Sequence, residues 1–180
     1  MASIFSTAKG DVLIRTATLA DVDGYRALRL EALKNHPTAF GKNYEESLAR
    51  PREYWVERLS QKRDEVALHF AEYDDHLIGM TGIIRPASVK AKHSATIWGV
   101  YVIPAWRGLH IAEAMIQACL DWAKVQKISI VKLAVVTTNQ SAKHCYERIG
   151  FTTYGIEPQA IFFGDTYYDE YLMARSVDGV

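Results

Sequence analysis

Between residues 94 and 156 the chain alternates strand, helix, strand, helix, strand, and this alternation limits the fold more than any other feature. Residues 94–103 (SATIWGVYVI) are rich in β-branched and aromatic side chains and stop at Pro104, as a strand does. Residues 108–127 repeat Ile111, Met115, Ala118, Cys119 and Trp122 at three- and four-residue steps, which predicts a long helix. Residues 130–136 (IVKLAVV) are almost continuously apolar, the pattern of a strand buried on both faces. Residues 139–149 predict a second helix closed by Gly150 as a left-handed cap, and residues 151–156 the next strand. A helical crossover between two strands of one sheet makes that pair parallel.

The earlier half has a different rhythm. Residues 12–18 (VLIRTAT) predict a strand, and residues 21–34 a helix buried through Val22, Tyr25, Leu28, Leu30 and Leu33. A further helix over 51–62 opens at Pro51. Residues 66–73 and 77–85 form a hairpin about Asp74, Asp75 and His76, and residues 166–174 form the last strand. The fold class is therefore α/β with a mixed sheet. Residues 1–11 predict a loose tail, and residues 12–176 a single domain.

Composition narrows the function. The chain has 180 residues, with 21 Lys plus Arg against 21 Asp plus Glu, so it lacks the excess basic charge of a nucleic-acid protein. Its longest apolar runs fall short of the roughly 18–20 residues of a membrane helix. The start, MASIFSTAKGD, does not resemble a signal peptide. Cys119 and Cys145 predict reduced thiols rather than a disulfide framework, so the expected compartment is the cytoplasm. The six histidines show no metal-ligand spacing, so no metal is expected.

The informative stretch is VYVIPAWRGLHIA, residues 100–112, where a buried strand turns through Arg107 and Gly108 into a long helix. The first turn of a helix has N–H groups without internal partners and lies at the positive end of the dipole, so it suits a pyrophosphate. Arg107 adds a planar, permanent charge, and Gly108 permits close approach of backbone to ligand. Downstream, Asn139, Lys143 and Tyr146 fall along one helix face, with Ala142 and Gly150-Phe151 completing N-x-x-A-x-x-x-Y-x-x-x-G-F. At this point Asn139 reads either as a ligand contact or as a helix N-cap, and Tyr146 either as a reacting phenol or as a core aromatic.

Together these stretches resemble the Gcn5-related N-acetyltransferase (GNAT) superfamily. The family's phosphate motif, Q/R-x-x-G-x-G/A, aligns with Arg107, Gly108, Leu109, His110, Ile111 and Ala112, and its later motif with Asn139, Ala142, Tyr146 and Gly150-Phe151. The resemblance is strongest over residues 98–151. One residue departs: His110 stands where the family has glycine. Helix propensity alone favours histidine there, and the resemblance leaves its side chain either leaning away from phosphate or adding a contact. Coenzyme A affinity is expected to tolerate His110.

The resemblance implies a mostly antiparallel sheet of six to seven strands with about four helices, whose central parallel strands, residues 97–103 and 130–136, splay apart. It implies acetyl-CoA as co-substrate and transfer of acetyl to a primary amine of a small molecule or peptide, by direct attack in a ternary complex. Tyr101 and Val102 would hold the pantetheine arm by backbone, residues 107–112 the pyrophosphate, and Asn139 and Lys143 the rest of the cofactor. Tyr146 is the implied catalytic phenol beside sulfur. Glu31, Glu157 and Glu170 are the candidate bases, with water-mediated proton loss as the default. Phe40, Tyr44, Trp55, Tyr167, Tyr168 and Tyr171, with Asp165, Asp169 and Glu170, are available to wall an acceptor pocket suited to a cationic amine. Partners are the co-substrate and an amine, with neither nucleic acid nor membrane, in a monomer or homodimer. A non-catalytic acyl-CoA sensor and a protein or peptide N-acetyltransferase are the alternatives.

Overall fold

The strand Val66–Tyr73 buries its first six side chains, and that fixes the layering. Neighbouring strand residues point to opposite faces, so both faces of the sheet at this strand must be covered. The structure is a computed structural model that describes residues 2–62 and 64–177. Among these residues the strands are β1 (Ala2–Thr7), β2 (Gly10–Thr16), β3 (Val66–Tyr73), β4 (His76–Ile84), β5 (Ser94–Val102), β6 (Ile130–Val136), β7 (Thr152–Phe163) and β8 (Thr166–Ser176). The helices are α1 (Val22–Asn35), α2 (Tyr44–Leu48), α3 (Arg52–Leu59), α4 (Ile111–Val125) and α5 (Gln140–Arg148). Val66, Leu68 and Phe70 of β3 pack with Tyr25 and Leu28 of α1 and Trp55 of α3. Ala67, between them, belongs to a second cluster with Ile116, Cys119 and Leu120 of α4 and Tyr146 of α5.

The sheet runs β1-β2-β3-β4-β5-β6-β8-β7. Its neighbours are antiparallel except β5 and β6, the parallel pair expected from the crossover. That pairing covers only Ser94 to Thr96 against Ile130 to Lys132. Beyond it each strand follows its outer neighbour. β6 stays paired with β8 as far as Val136, and β5 with β4 as far as Val102. A bulge drives the divergence: the β4–β5 register passes from Gly82↔Trp98 to Met80↔Tyr101, so Gly99 and Val100 together oppose Thr81. Gly99 has φ +70, a conformation that favours glycine. A Cβ on Gly82 would come within 2.5 Å of the Trp98 ring, so the glycine lets that indole lie across β4. The result is a V-shaped opening at the centre of the sheet.

Three expectations change. Where a loose tail over residues 1–11 was expected, the described residues 2–11 are instead β1, its turn and the start of β2, a hairpin paired from Ala2↔Arg15 to Thr7↔Gly10; residue 1 lies outside the described residues. Its side chains are mostly exposed, so no apolar alternation announces it. With it the described sheet has eight strands rather than six to seven. The described α-helices number five rather than about four, because Asn43 caps the short α2 by accepting the Glu46 N–H at 3.1 Å. No helix among the described residues is long and apolar enough to cross a membrane.

Candidate active site

The opening between β5 and β6 leads into a cleft of about 490 Å³. Its floor is the entry to α4. A tight turn over Pro104–Trp106 ends β5, and the chain then passes through Gly108 at φ +77 and His110 at φ +59 before α4 begins at Ile111. Gly108, His110, Ile111, Ala112 and Glu113 all line the cleft, so the first turn of α4 is open to a ligand. The unpaired N–H groups and positive dipole end of such a turn suit a phosphate.

Arg107 is held rather than loose. Its Nε donates to the Val102 carbonyl at 2.9 Å, its Nη2 lies 2.9 Å from His36 Nε2, and its guanidinium stands over the Tyr101 ring at 5.5 Å. His36 accepts that bond as a neutral ring. Burial, and next the Arg107 charge, lower its pKa. Tyr101 in turn donates to Glu31 at 2.8 Å, and burial together with that bond raises the phenol.

His110 occupies a left-handed N-cap, not a helical position, and this corrects the propensity argument. A residue with a Cβ pays for that conformation and glycine does not. The imidazole turns toward the helix, with Nδ1 3.0 Å from Glu113 Oε1, rather than into the cleft floor alone. Arg148 Nη2 also donates to Glu113, at 2.5 Å. Burial would raise the Glu113 carboxyl, but the bonds from Arg148, its own backbone N–H and His110 hold it below its ordinary value. We expect His110→Gly to stabilise the fold by up to about 1 kcal/mol, read as a higher urea midpoint. Coenzyme A affinity should change less than tenfold. A lower midpoint would show that the Glu113 contact outweighs the backbone strain.

The opposite wall comes from β6 and α5. Asn139 caps α5, its Oδ1 accepting the Ala142 N–H at 3.1 Å, and it also lines the cleft. The structure shows the cap; capping uses the carbonyl and leaves the amide hydrogens free to meet a ligand in the cleft. Tyr146 lines the same wall, 7% exposed, edge-on to Phe151 at 6.3 Å between centroids. Burial pushes its phenol well above the ordinary value of 10.0. Cys145 beside it is raised to about 12 by burial, so it is a protonated thiol rather than a nucleophile.

Of the residues expected to hold a cofactor, Tyr101, Val102, Arg107, Gly108, His110, Ile111, Ala112 and Asn139 meet at this cleft. Leu109 instead packs against the apolar cluster of α4 and β2. Lys143 bonds Glu147 and stands 5.4 Å from the Tyr171 ring centroid, away from the cleft lining. His36, Thr38, Glu113, Ser141 and Arg148 line the cleft without having been singled out by any motif. Only their tertiary placement identifies them.

A second cavity of about 470 Å³ shares Ala39 and Phe40 with the lining of the first. Phe40, Trp55 and Glu170 line it, whereas Tyr44, Tyr167, Tyr168, Tyr171, Asp165, Asp169, Glu31 and Glu157 do not. Its charged lining is Arg29, Lys42 and Arg58 against Glu170, a cationic surface where an acidic one was expected. Burial, then Glu157, raises the Glu170 carboxyl.

Known proteins are similar in sequence and in fold. An uncharacterized N-acetyltransferase of Methanocaldococcus jannaschii is 28% identical over 140 residues, covering 77% of this chain and 59% of that protein. The chain thus spans about three-fifths of that relative. A GNAT-family acetyltransferase from Streptococcus pneumoniae superposes with a TM-score of 0.81 at 20% identity, covering 92% of this chain and 99% of the other. The structure of yncA from Salmonella typhimurium with its cofactor acetyl-CoA gives 0.82 at 16% identity, covering 94% and 95%. These two share the fold. The sequence model of the acetyltransferase (GNAT) family matches residues 27–151, most of the segment that builds the splayed strands and both cleft walls, and the chain belongs to that family.

Proposed function

We propose that this protein is an N-acetyltransferase that moves the acetyl group of acetyl-CoA to a primary amine by direct attack, with both substrates bound together. The observation that carries this reading is a pair of neighbouring cavities along β5 and β6 that share Ala39 and Phe40, one lined by the α4 N-terminus and the other by aromatic side chains. Similar folds have been solved with acetyl-CoA and with CoA. The cleft residues fit such a molecule: the open first turn of α4 and the anchored Arg107 suit a pyrophosphate, and the unpaired edges of β5 and β6 suit an amide-bearing arm. When bound, acetyl-CoA supplies an acyl group activated as a thioester.

The chain's own residues do the rest. Arg107, tied to Val102 and His36, holds its charge at the cleft without ordering cost at binding. Tyr146 keeps its proton at neutral pH and presents a donor at the wall where sulfur gains charge. Because burial raises it further above a thiol's reference of about 8.5, it acts by hydrogen bonding more than by giving the proton up. Glu170, its carboxyl raised by burial and Glu157 at the second cavity, serves as the proton acceptor for the amine, directly or through water.

Release of thiol from acetyl-CoA, followed across a panel of primary amines, tests this reading. We expect amine-dependent release with an acetylated product by mass. Tight CoA binding with no release on any amine would mark the protein as an acyl-CoA sensor instead.

A further inference from the structure

Arg29 is 9% exposed, and its Nη1 is buried without a hydrogen-bond partner. A buried guanidinium left unpaired is costly, so such a group ordinarily has an anion or acceptor to meet. The group lines the second cavity, stacks over Phe40 at 4.7 Å, and lies 3.6 Å from where a Cβ on Gly99 would stand. It therefore faces the bulge that opens the sheet. Arg58 lines the same cavity, its guanidinium 4.7 Å above the Trp98 ring. Burial foremost, with the Arg58 charge adding to it, lowers the pKa of Arg29. An anion between the two would relieve both costs, since guanidinium groups take a carboxylate in a bidentate fork.

The same lining carries one acid among the described residues, Glu170. It pairs in register with Val136, which lines the first cleft, so it belongs to the strand edge that faces the cofactor side. The volume suits a small molecule.

Resting on the acetyltransferase reading, we propose that the acceptor is an amino acid, its carboxylate held by Arg29 and Arg58 and its amine directed to the splay beside Glu170. In the transfer the amine nitrogen forms the new N–C bond to the acetyl carbon. The thioester C–S bond breaks with its electron pair going to sulfur, which departs as thiolate accepting a hydrogen bond from Tyr146; the amine's proton passes to Glu170 or water, and the thiolate takes a proton from solvent to become thiol.

The twenty proteinogenic amino acids and their α-carboxamides, assayed pairwise with acetyl-CoA and the intact chain, test the assignment. The preferred amino acid should exceed its amide by at least about tenfold in kcat/KM. Arg58→Gln should raise KM for that amino acid by about 10–100-fold, with kcat changing far less, and bring the acid-to-amide ratio near one. Arg29→Lys, which keeps the charge but loses the fork, should lower the same ratio, and its melting curve reports whether it folds. Amides accepted as well as acids, or Arg58→Gln slowing acids and amides alike, would overturn the proposal. Quenching of Trp98 and Trp55 fluorescence by the amino acids is the independent reading. Arg58-dependent quenching without thiol release would keep the site and reject the acetyltransferase, whereas release with other amines but no response to amino acids would do the reverse. No quenching and no release would overturn both.

Discussion

Tyr146→Phe is expected to lower turnover by about 10–10³-fold while the protein stays folded and still binds coenzyme A. The substitution removes one oxygen from a residue that is 7% exposed and leaves the ring to pack edge-on against Phe151. The loss therefore falls on chemistry rather than on the core. The effect belongs in kcat, because the proposed partner of the phenol is a sulfur that becomes strongly negative only as the reaction proceeds. Burial keeps the phenol protonated, so the wild-type profile should show no loss of activity from Tyr146 ionisation near neutral pH. Steady-state kinetics of both forms on an accepted amine check this. Equal kcat values would show that Tyr146 is only a core aromatic.

The second large effect is on stability. His69 lies in β3, 5% exposed, with both ring nitrogens buried and without hydrogen-bond partners. Burial lowers its pKa from 6.5 to about 4. The folded chain holds this ring neutral, whereas the unfolded chain takes a proton below its ordinary value. Above about pH 6.5 neither state is protonated and the difference is absent. As pH falls from there toward 4 the unfolded state binds the extra proton, and folding stability drops by as much as about 3 kcal/mol. His36, lowered by burial and Arg107, adds loss of the same sign. Asp21 and Glu113, both held below their ordinary values, lose their contributions only as pH falls further. Urea midpoints at pH 7.5, 6, 5 and 4.5 should fall steadily, and His69→Leu should remove most of the slope. Wild-type midpoints that stay level over this range would contradict the argument.

What sequence reading recovered, and what it missed, follows from the range of the forces involved. The α4 entry and the N-x-x-A-x-x-x-Y pattern were legible because helix ends are specified locally. Asn139 caps three residues downstream, and Gly150 takes φ +85 two positions after α5 ends. The crossover dictated one parallel pair, and that pair is β5–β6. The N-terminal hairpin escaped because its strand buries almost nothing, and β7 ran longer than expected for the same reason. Lys143 shares a helix face with Tyr146 by periodicity, yet the acid four residues on claims it, as i,i+4 pairs do. His110 misled propensity reasoning because its backbone is left-handed, which also gives a physical reason for glycine at that place in relatives. His36, Arg29 and Arg58 are separated in sequence from both motifs. Only the folding of α1 and α3 over the sheet brings them to the two cavities, so no local pattern marks them.

Calorimetric titration with coenzyme A and, separately, with pantetheine tests the central claim most directly. If the α4 entry grips the diphosphate, coenzyme A binds at one site per chain, and pantetheine, which lacks that group, binds at least about tenfold more weakly. No heat with coenzyme A, or equal affinity for the two, would contradict the account.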